Sequence, residues 1–394
     1  MAQVQQAASP LDGVSVVDFS SILAGPYCGR WLADLGADVI KVEAPDGDYL
    51  RTRSPLRDGK SAYFAQLNAG KRSVTLDLKV PAAVEAARGL AAKADVVLES
   101  FRPGVMARLG LGYDTLAADN PGLIYCAISG YGQSGPDAGR PAFAQIVHAA
   151  SGYERINLGY QDNPERPLNM GVFIADAMTA AFAVVGIQAA LLQRQTTGRG
   201  QMVDTTLMES MLNLLVYEFQ EAQFPVAQRR PVYKPSRTSD GFVIIAAVND
   251  NNFTNLFKAM DRLEWLDDPR FGTNAARQEN WDELFGLVEE WTQRRTADEC
   301  ETELTAAGVP CSAYRSIGDI LKNRHFIERG SFAEVADAAG ALLVPNLPFR
   351  LSEGRVEARS LAPGLGEHTE SVLADVLGYS PDRVADLKAA GAFG

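Results

Sequence analysis

Asp176 is the strongest candidate for a catalytic residue in this sequence. It lies near the start of a segment that is otherwise rich in Ala, Val, Ile, Phe and Gly. An acidic residue at the beginning of a helix is stabilised by free backbone amides and by the helix dipole, so a helix cap is one interpretation. The other interpretation is a desolvated nucleophile, because carboxylates form covalent intermediates where water is kept away. From the residues alone, both interpretations stay open.

Other groups that usually carry catalysis are scarce. There are three histidines and four cysteines, and no C-x-x-C pair. This composition argues against a histidine-rich metal centre and against a disulfide framework, so we expect no metal and a reducing, cytoplasmic location. The first ten residues lack the features of a signal peptide. His148 lies in an apolar stretch, where a packed structural histidine is the favoured interpretation.

Two glycine-containing patterns do not match nucleotide-binding loops. Residues 130–135 read G-x-G-x-x-G after a predicted strand, but Pro136 and Pro141 follow where a dinucleotide fold requires a helix. A turn in which the backbone passes close to a ligand is the favoured interpretation. The Gly-Lys pairs at 59–60 and 70–71 lack the glycine five residues earlier that a P-loop requires. Nothing in the sequence therefore indicates that ATP drives the chemistry.

The charge distribution limits the partners. The formal net charge of −12 argues against a protein that binds nucleic acid or an anionic membrane. Residues 41–108, however, contain 12 basic and 8 acidic groups, a net charge of +4. That segment suits a small polyanionic ligand such as a nucleotide, although chance scatter of surface charges gives the same count.

Alternating strands and helices are predicted around these residues. The predicted strands lie at 14–19, 38–43, 73–78, 95–99, 123–129 and 201–205, and the main helices at 25–36, 82–94, 174–194 and 207–223. This β-α-β alternation predicts an α/β fold with a parallel sheet. The apolar segment at 174–192 contains polar residues and is predicted to be a buried helix rather than a membrane span. A proline- and arginine-rich linker at 224–240 is predicted to lead into a small α+β domain.

Eight motifs occur in an order that is typical of one family. They are LAGP (23–26), DLGADVIKVE (34–43), GKRSVTLDL (70–78), ESFRPGVMARLGLGY (99–113), ISGYGQSGP (128–136), GVFIADAMTA (171–180), TGRGQMVD (197–204) and GLGEHT (364–369). The chain resembles the class III CoA-transferase family from about residue 11 to its C-terminus. That superfamily includes formyl-CoA:oxalate and carnitine CoA-transferases and the α-methylacyl-CoA racemases.

The resemblance implies an architecture and a set of partners. It implies a Rossmann-like large domain built from residues 1–224 and 331–394, with a linker and smaller α+β domain at 225–330. It also implies two subunits interlocked as a homodimer. The implied substrates are coenzyme A, bound as an acyl-CoA, and a small carboxylic acid.

The resemblance also implies the roles of individual residues. Asp176 is implied to attack the donor thioester and to pass through aspartyl anhydride and aspartyl-CoA thioester intermediates. One thioester is exchanged for another, which agrees with the missing P-loop. The residues implied to contact CoA are Ile22, Leu23, Lys71, Ser100, Phe101, Arg108 and Tyr131.

Departures from the family pattern narrow the expected reaction. Phe143 stands where the racemase branch has a histidine, which disfavours proton transfer at the α-carbon. Leu23 replaces a glutamine of the formyl-CoA transferase branch, and residues 228–240 contain no glycine where that branch has a glycine-rich lid. We therefore expect CoA transfer, with succinyl-CoA as one candidate donor, to a small organic or dicarboxylic acid. An acyl-CoA racemase or isomerase and a non-catalytic CoA-binding subunit stay as alternatives.

Overall fold

The computed structural model describes residues 8–161, 165–226 and 232–394. These residues form two compact units. One contains the chain up to Gln220 and from Glu328 to Gly394, and the other is Glu221–Ile327. The predicted domain limits differ from these boundaries by a few residues. Residues 1–7 of the N-terminal segment and residues 227–231 of the predicted linker lie outside the described residues.

The chain up to Gln223 contains eight strands and ten helices among its described residues. The strands are β1 (Ser15–Asp18), β2 (Asp38–Glu43), β3 (Leu56–Arg57), β4 (Lys60–Ser61), β5 (Lys71–Thr75), β6 (Val96–Glu99), β7 (Ile124–Ser129) and β8 (Gln201–Thr206). The helices are α1 (Ala24–Asp34), α2 (Ala62–Asn68), α3 (Pro81–Lys93), α4 (Val105–Arg108), α5 (Tyr113–Asp119), α6 (Ala144–Ala150), α7 (Tyr153–Leu158), α8 (Ile174–Thr197), α9 (Leu207–Leu214) and α10 (Val216–Gln223). A 3-10 turn covers Tyr49–Thr52.

The second unit is a small α+β body with its own apolar core. Its strands β9 (Ser236–Arg237), β10 (Phe242–Ile245) and β11 (Cys311–Ala313) form an antiparallel sheet in the order β11-β10-β9. Its helices are α11 (Asp250–Ala259), α12 (Asn274–Glu279), α13 (Trp281–Thr292), α14 (Ala297–Ala306), α15 (Ile317–Ile320) and α16 (Arg324–Glu328), with a 3-10 turn at Leu263–Leu266. The apolar faces of α11, α13 and α14 pack on the sheet, as their amphipathic sequences predict.

The chain then returns to the first unit. A hairpin of β12 (Phe332–Asp337) and β13 (Gly340–Pro345) is followed by α17 (Thr369–Asp375) and α18 (Pro381–Ala389).

A six-stranded parallel sheet is the centre of the first unit. Its order is β5-β2-β1-β6-β7-β8, and every pairing is parallel. The predicted parallel α/β fold is therefore confirmed. The strand order changes direction between β1 and β6, and open sheets of this type bind ligands in the crevice beyond the carboxyl ends of the strands at that point. Apolar residues are buried on both faces of the sheet, with α1 and α8 on one side and α3, α17 and α18 on the other.

The segment 364–369 (GLGEHT) covers the outer edge of β5. Ser73 donates its backbone N–H to Nδ1 of His368 at 3.2 Å, and Thr75 donates its own to Oγ1 of Thr369 at 3.0 Å. These contacts satisfy backbone groups that an edge strand would otherwise leave unpaired. Two of the eight family motifs, at 70–78 and 364–369, thus meet in a structural contact.

Helix α8 is buried on one face only. By length and composition it is the one helix among the described residues that could cross a membrane. Eight of its 24 residues are buried in the first unit: Ala175, Thr179, Ala180, Ala183, Val184, Ile187, Ala190 and Leu191. Val185 and Leu192 on the opposite face are 60% and 67% exposed. The predicted buried helix is therefore only half covered within this chain.

Helices α9 and α10 replace the single helix predicted at 207–223. The break falls at Leu215, whose backbone leaves the helical region with φ −88° and ψ 53°. Apolar periodicity continues across this residue, which is why the sequence pattern does not reveal the break.

Candidate functional site

A cavity of about 790 Å³ opens at the carboxyl ends of β1, β2 and β6. The turn that follows β1 lines it with Ile22 and Leu23, and the segment after β6 contributes Phe101. Asp176, in the first turn of α8, lines the same cavity. The cavity therefore lies where the strand order of the sheet changes direction, the usual ligand position in such folds.

The turn after β1 has an unusual backbone conformation at Ile22, and hydrogen bonds to buried charged side chains hold it in place. Ile22 has φ +70°, in the left-handed region that β-branched residues rarely occupy. A carboxylate oxygen of Asp48 accepts a hydrogen bond from the Ile22 amide at 3.3 Å. The buried ammonium of Lys41 contacts both that carboxylate, at 3.0 Å, and the carbonyl oxygen of Ser20, at 2.9 Å. A buried ion pair thus fixes a turn that forms one wall of the cavity.

The carboxylate of Asp176 lies close to the first residue of α1, Ala24. Burial raises the pKa of its carboxyl to about 6, although hydrogen bonds from its own amide and from the Ala24 amide oppose that shift. The turn and α1 approach each other closely at Gly25, where a Cβ atom would lie 2.2 Å from Cβ of Ser20. A carboxylate that is ionised at neutral pH, yet poorly solvated and directed into an apolar cavity, has the properties of a nucleophile.

Lys71 lies in a buried ion pair, which argues against the phosphate contact that the family resemblance implies. Its ammonium lies 2.8 Å from a carboxylate oxygen of Asp18, and both side chains are 0% exposed. It also donates to the carbonyl oxygen of Pro26 at 2.8 Å and to Oδ1 of Asn68 at 2.9 Å. An ammonium has three N–H donors, so none is left for a ligand in this arrangement. Burial lowers the pKa of Lys71 to about 8, although the negative charge of Asp18 acts to raise it.

The other predicted CoA contacts occupy different positions. Ser100 accepts the backbone amide of Ser21 at 3.1 Å and so ties the end of β6 to the turn after β1. Arg108 is exposed at the end of α4. Tyr131, in the glycine-containing turn after β7, has a buried hydroxyl without a hydrogen-bond partner among the described residues, and the guanidinium of Arg140 lies 4.8 Å from its ring centre. Of the eight predicted site residues, Ile22, Leu23, Phe101 and Asp176 share the cavity, and the other four do not line it.

Sequence reasoning missed several residues of the cavity wall. Tyr63, on α2, lies near Asp176, and burial together with that carboxylate raises the pKa of its phenol to about 12. Phe173 lines the cavity immediately before α8. Arg53 lies at the cavity with its guanidinium over the ring of Tyr49, and it forms no ion pair with any residue that the structure describes. Tyr63 and Arg53 belong to none of the eight motifs, and Phe173 lies within the motif at 171–180 but has no residue type that signals a site.

Much of the predicted basic surface is neutralised in the fold. Six of the twelve basic residues in 41–108 form ion pairs: Lys41, Arg51, Arg57, Lys71, Arg72 and Arg88. Within the described ranges, Arg53, Lys60, Arg102 and Arg108 are among those that form none. The local excess of positive charge therefore resides in a few exposed side chains.

His148 and Phe143 lie beside the cavity but differ in accessibility. Phe143, which stands where the family resemblance implies a histidine in the racemase branch, lines the cavity and is 62% exposed. His148 is 0% exposed, which confirms the predicted packed histidine. No group of three or more metal-ligating side chains occurs among the residues the structure describes.

Comparison with protein families and curated proteins gives full-length matches. The family model described as CoA-transferase family III matches residues 11–369. Succinyl-CoA–D-citramalate CoA-transferase of Chloroflexus aurantiacus is 38% identical over 398 residues, covering 98% of each chain. Human succinyl-CoA:glutarate CoA-transferase is 32% identical and covers 97% of this chain and 89% of its own.

Solved structures give the same result for the fold. A CaiB/BaiF family protein from Brucella suis superposes with a TM-score of 0.83 at 36% identity, covering 94% of this chain and all of that one. A hypothetical protein from Mycobacterium tuberculosis gives a TM-score of 0.84 at 32% identity, covering 93% and 99% of the two chains.

Proposed function

Because this chain belongs to CoA-transferase family III, we propose that it transfers CoA from succinyl-CoA to a small dicarboxylic acid, with Asp176 as the nucleophile. The two relatives compared above are named CoA-transferases, and both names include succinyl-CoA as a substrate. One observation supports the role of Asp176: its carboxylate lines the cavity where the strand order of the sheet changes direction, and burial there raises its pKa.

The first half of the proposed reaction moves CoA onto the enzyme. The Asp176 carboxylate attacks the thioester carbonyl of the donor, the C–S bond breaks, and CoA thiolate leaves a mixed anhydride. The thiolate then attacks the aspartyl carbonyl of that anhydride. Succinate departs with its carboxylate restored, and Asp176 is left as a CoA thioester.

The second half reverses these steps with a different acid. The acceptor carboxylate attacks the aspartyl carbonyl of the thioester, the C–S bond breaks, and CoA thiolate leaves a second mixed anhydride between Asp176 and the acceptor. The thiolate attacks the acceptor's acyl carbon, giving the new acyl-CoA and the free Asp176 carboxylate. No net proton is transferred and one thioester replaces another, so neither ATP nor a general base is required.

The CoA moiety is proposed to extend from this cavity along the residues implied by the family resemblance. Ile22 and Leu23 form one wall, and Phe101 forms the other. Ser100 holds the two walls together, and exposed Arg108 supplies positive charge for a phosphate. Tyr131 is still proposed to contact CoA, because its buried hydroxyl has no hydrogen-bond partner among the described residues. Lys71 is proposed instead as a structural residue.

Arg53 supports a dicarboxylic rather than a monocarboxylic acceptor. It is exposed at a cavity whose other cation, Lys41, is paired with Asp48. A guanidinium that lacks an ion pair is suited to bind the second carboxylate of a dicarboxylic acid while the first one reacts.

Arg53→Leu is expected to reduce the preference for dicarboxylic acceptors about tenfold, because a charge-assisted hydrogen bond to an exposed group is lost. The measurement is the ratio of kcat/KM for succinate to that for butyrate, with acetyl-CoA as donor. Arg102→Leu removes an exposed arginine outside the cavity and should leave the ratio unchanged. An unchanged ratio in Arg53→Leu would refute the proposed role.

The rate of transfer is expected to rise with pH and to level off above pH 7. Asp176 attacks only when ionised, and burial raises its pKa to about 6, so the rate should fall about tenfold per pH unit below that value. The measurement is kcat at saturating substrates between pH 4.5 and 8. Glu99→Gln is the control, because burial raises the pKa of Glu99 to about 7 and this carboxyl lies next to the cavity wall. If the acid limb vanished in that variant, the limb would belong to Glu99.

A screen of acceptor acids tests the proposed function. Succinyl-CoA and acetyl-CoA are each incubated with a set of monocarboxylic and dicarboxylic acids, and new acyl-CoA products are identified by mass spectrometry. Products from dicarboxylic acids are expected. Racemisation would instead give deuterium exchange at the α-carbon of an acyl-CoA without any acceptor acid.

We also propose an interlocked homodimer in the cytoplasm. The exposed apolar residues Val185 and Leu192 on α8, together with Val216 on α10, support a partner surface. Light scattering should give twice the chain mass of 42.4 kDa. A single chain mass would contradict the dimer.

A further inference from the structure

Helix α8 starts without a capping side chain of its own. Phe173 occupies the N-cap position and makes no side-chain hydrogen bond to the helix. The first amides of a helix have no partner within it, and Ser, Thr, Asp or Asn at the N-cap usually accepts from one of them. At this position the protein instead has an aromatic residue that lines the cavity.

The three amides at the start of α8 nevertheless all have acceptors. The Ile174 amide donates to the carbonyl oxygen of Val172 at 2.9 Å. The Asp176 amide donates to the carboxylate of the same residue. The Ala175 amide donates to Nε2 of His148 at 3.1 Å, across 27 residues of sequence. His148 therefore takes the place of the missing N-cap side chain.

This contact requires a neutral imidazole with its proton on Nδ1, because Nε2 accepts a hydrogen bond. His148 is 0% exposed, and burial lowers its pKa, with the opposing charge of Glu154 on α7. Tyr153 on α7 packs against the imidazole with ring centres 5.8 Å apart. The other charged side chains on the packed helices are Arg155 on α7, Asp176 and Arg194 on α8, and Glu209 on α9.

The peptide groups around Ala175 are held on both sides. Its amide is bound by His148, and its carbonyl oxygen accepts from Oγ1 of Thr179 at 2.7 Å. Thr179 in turn is 3.0 Å from Oγ of Ser210 on α9. Because Ala175 directly precedes Asp176, fixing these peptide groups fixes the direction from which the carboxylate enters the cavity.

We propose that His148 is a positioning residue, whose neutral imidazole caps the Ala175 amide and thereby aligns the Asp176 carboxylate while leaving position 173 free for an aromatic cavity wall. This inference rests on the proposed role of Asp176 as the nucleophile. It assigns to a histidine buried outside the cavity an effect on the rate of the chemical step, without contact between His148 and substrate.

Two substitutions of His148 separate this role from packing. His148→Leu removes the acceptor, whereas His148→Gln offers an amide oxygen in its place. We expect kcat of the leucine variant to be about 30-fold lower than that of the native protein. A small misalignment of a reacting group, or loss of the partner that orients it, typically lowers the rate by about one to two orders of magnitude. KM for succinyl-CoA should change less than about twofold. The glutamine variant should keep kcat within about threefold of the native protein.

Val147→Ala is the matched control, because Val147 is a buried neighbour on α6 with no polar contact to α8. It should lower the melting temperature at least as much as His148→Leu, yet keep kcat when assayed well below that temperature. If all three variants lost kcat in proportion to their melting temperatures, His148 would serve packing only and the proposal would be overturned. Native kcat in His148→Leu would overturn it as well.

Covalent labelling distinguishes failure of this proposal from failure of the proposed function. The native protein is mixed with succinyl-CoA and hydroxylamine, and the rate of hydroxamate formation at Asp176 is followed by mass spectrometry. Labelling that is slowed in His148→Leu and restored in His148→Gln supports the inference. Equal labelling rates in the native protein and His148→Leu would refute it and leave the function intact. Absence of any label at Asp176 in the native protein would overturn the function itself, and with it this role of His148.

Discussion

Asp176→Asn is expected to reduce kcat for CoA transfer by about a thousandfold or more, the loss typical of removing a covalent nucleophile. An amide oxygen is too weak a nucleophile to form the anhydride, and among the described residues that line the cavity no other carboxylate lacks a basic partner. Glu43 and Asp48 line the same cavity, but each accepts hydrogen bonds from a basic partner. The measurement is steady-state transfer from succinyl-CoA to the best acceptor.

The same substitution should make the fold more stable at neutral pH. Burial raises the pKa of Asp176 from its ordinary value to about 6, so the folded protein binds a proton more tightly than the unfolded chain. That contribution favours folding at low pH and is lost as the pH rises through 6, which leaves an ionised, poorly solvated carboxylate at pH 7.5. Asparagine removes this cost, so the melting temperature should rise while activity disappears.

Asp114→Asn is the control for this experiment. Asp114 is an exposed acidic residue in the first turn of α5, away from the cavity. It should retain full activity. Asp176→Asn should also still bind acyl-CoA, and substantial transfer by this variant would show that another group is the nucleophile.

Lys71→Met is expected to lower the free energy of unfolding by about 3–5 kcal/mol, because removing one partner of a buried ion pair leaves an uncompensated buried charge. Asp18, the partner left behind, is 0% exposed and lies beneath Gly29 of α1, where a Cβ atom would be 2.7 Å from its Oδ2. With so little room around it, the carboxylate cannot regain a full hydration shell. Urea titration followed by circular dichroism measures the loss.

A second substitution identifies the source of that effect. In Asp18→Asn/Lys71→Met no unpaired charge is left, so the double variant should lose less stability than the sum of the two single variants. Arg108→Met is the contrasting case, since this exposed side chain has no ion pair among the described residues. It should raise KM for succinyl-CoA without changing stability. If Lys71→Met instead raised KM and kept full stability, the phosphate contact implied by the family resemblance would be correct.

The parallel sheet and the catalytic helix were predictable because their signals are local. Short runs rich in apolar residues predict β2 and β7, and apolar periodicity predicts α8 with Asp176 at its start. Where such elements follow one another as β-α-β units, the strands must be parallel and their carboxyl ends must share one edge. The position of Asp176 at that edge follows from its family motif.

The ion pairs and caps of the site were not predictable because their partners are distant in sequence. Lys71 and Asp18 are 53 residues apart, and basic residues beside glycine look alike whether they bind phosphate or a buried carboxylate. The left-handed backbone of Ile22 contradicts the preference of a β-branched residue and depends on Asp48, 26 residues away. The sequence predicts a packed His148, but its acceptor role at the Ala175 amide follows only from the fold.

Trapping the covalent intermediate on Asp176 is the most direct measurement of the proposed mechanism. The native protein is incubated with succinyl-CoA, quenched with hydroxylamine and digested, and the peptide that contains Asp176 is sequenced by mass spectrometry. A hydroxamate on Asp176, with release of free CoA and none formed in Asp176→Asn, is the predicted result. A hydroxamate on a different residue, or continued transfer with no label on Asp176, would contradict the account.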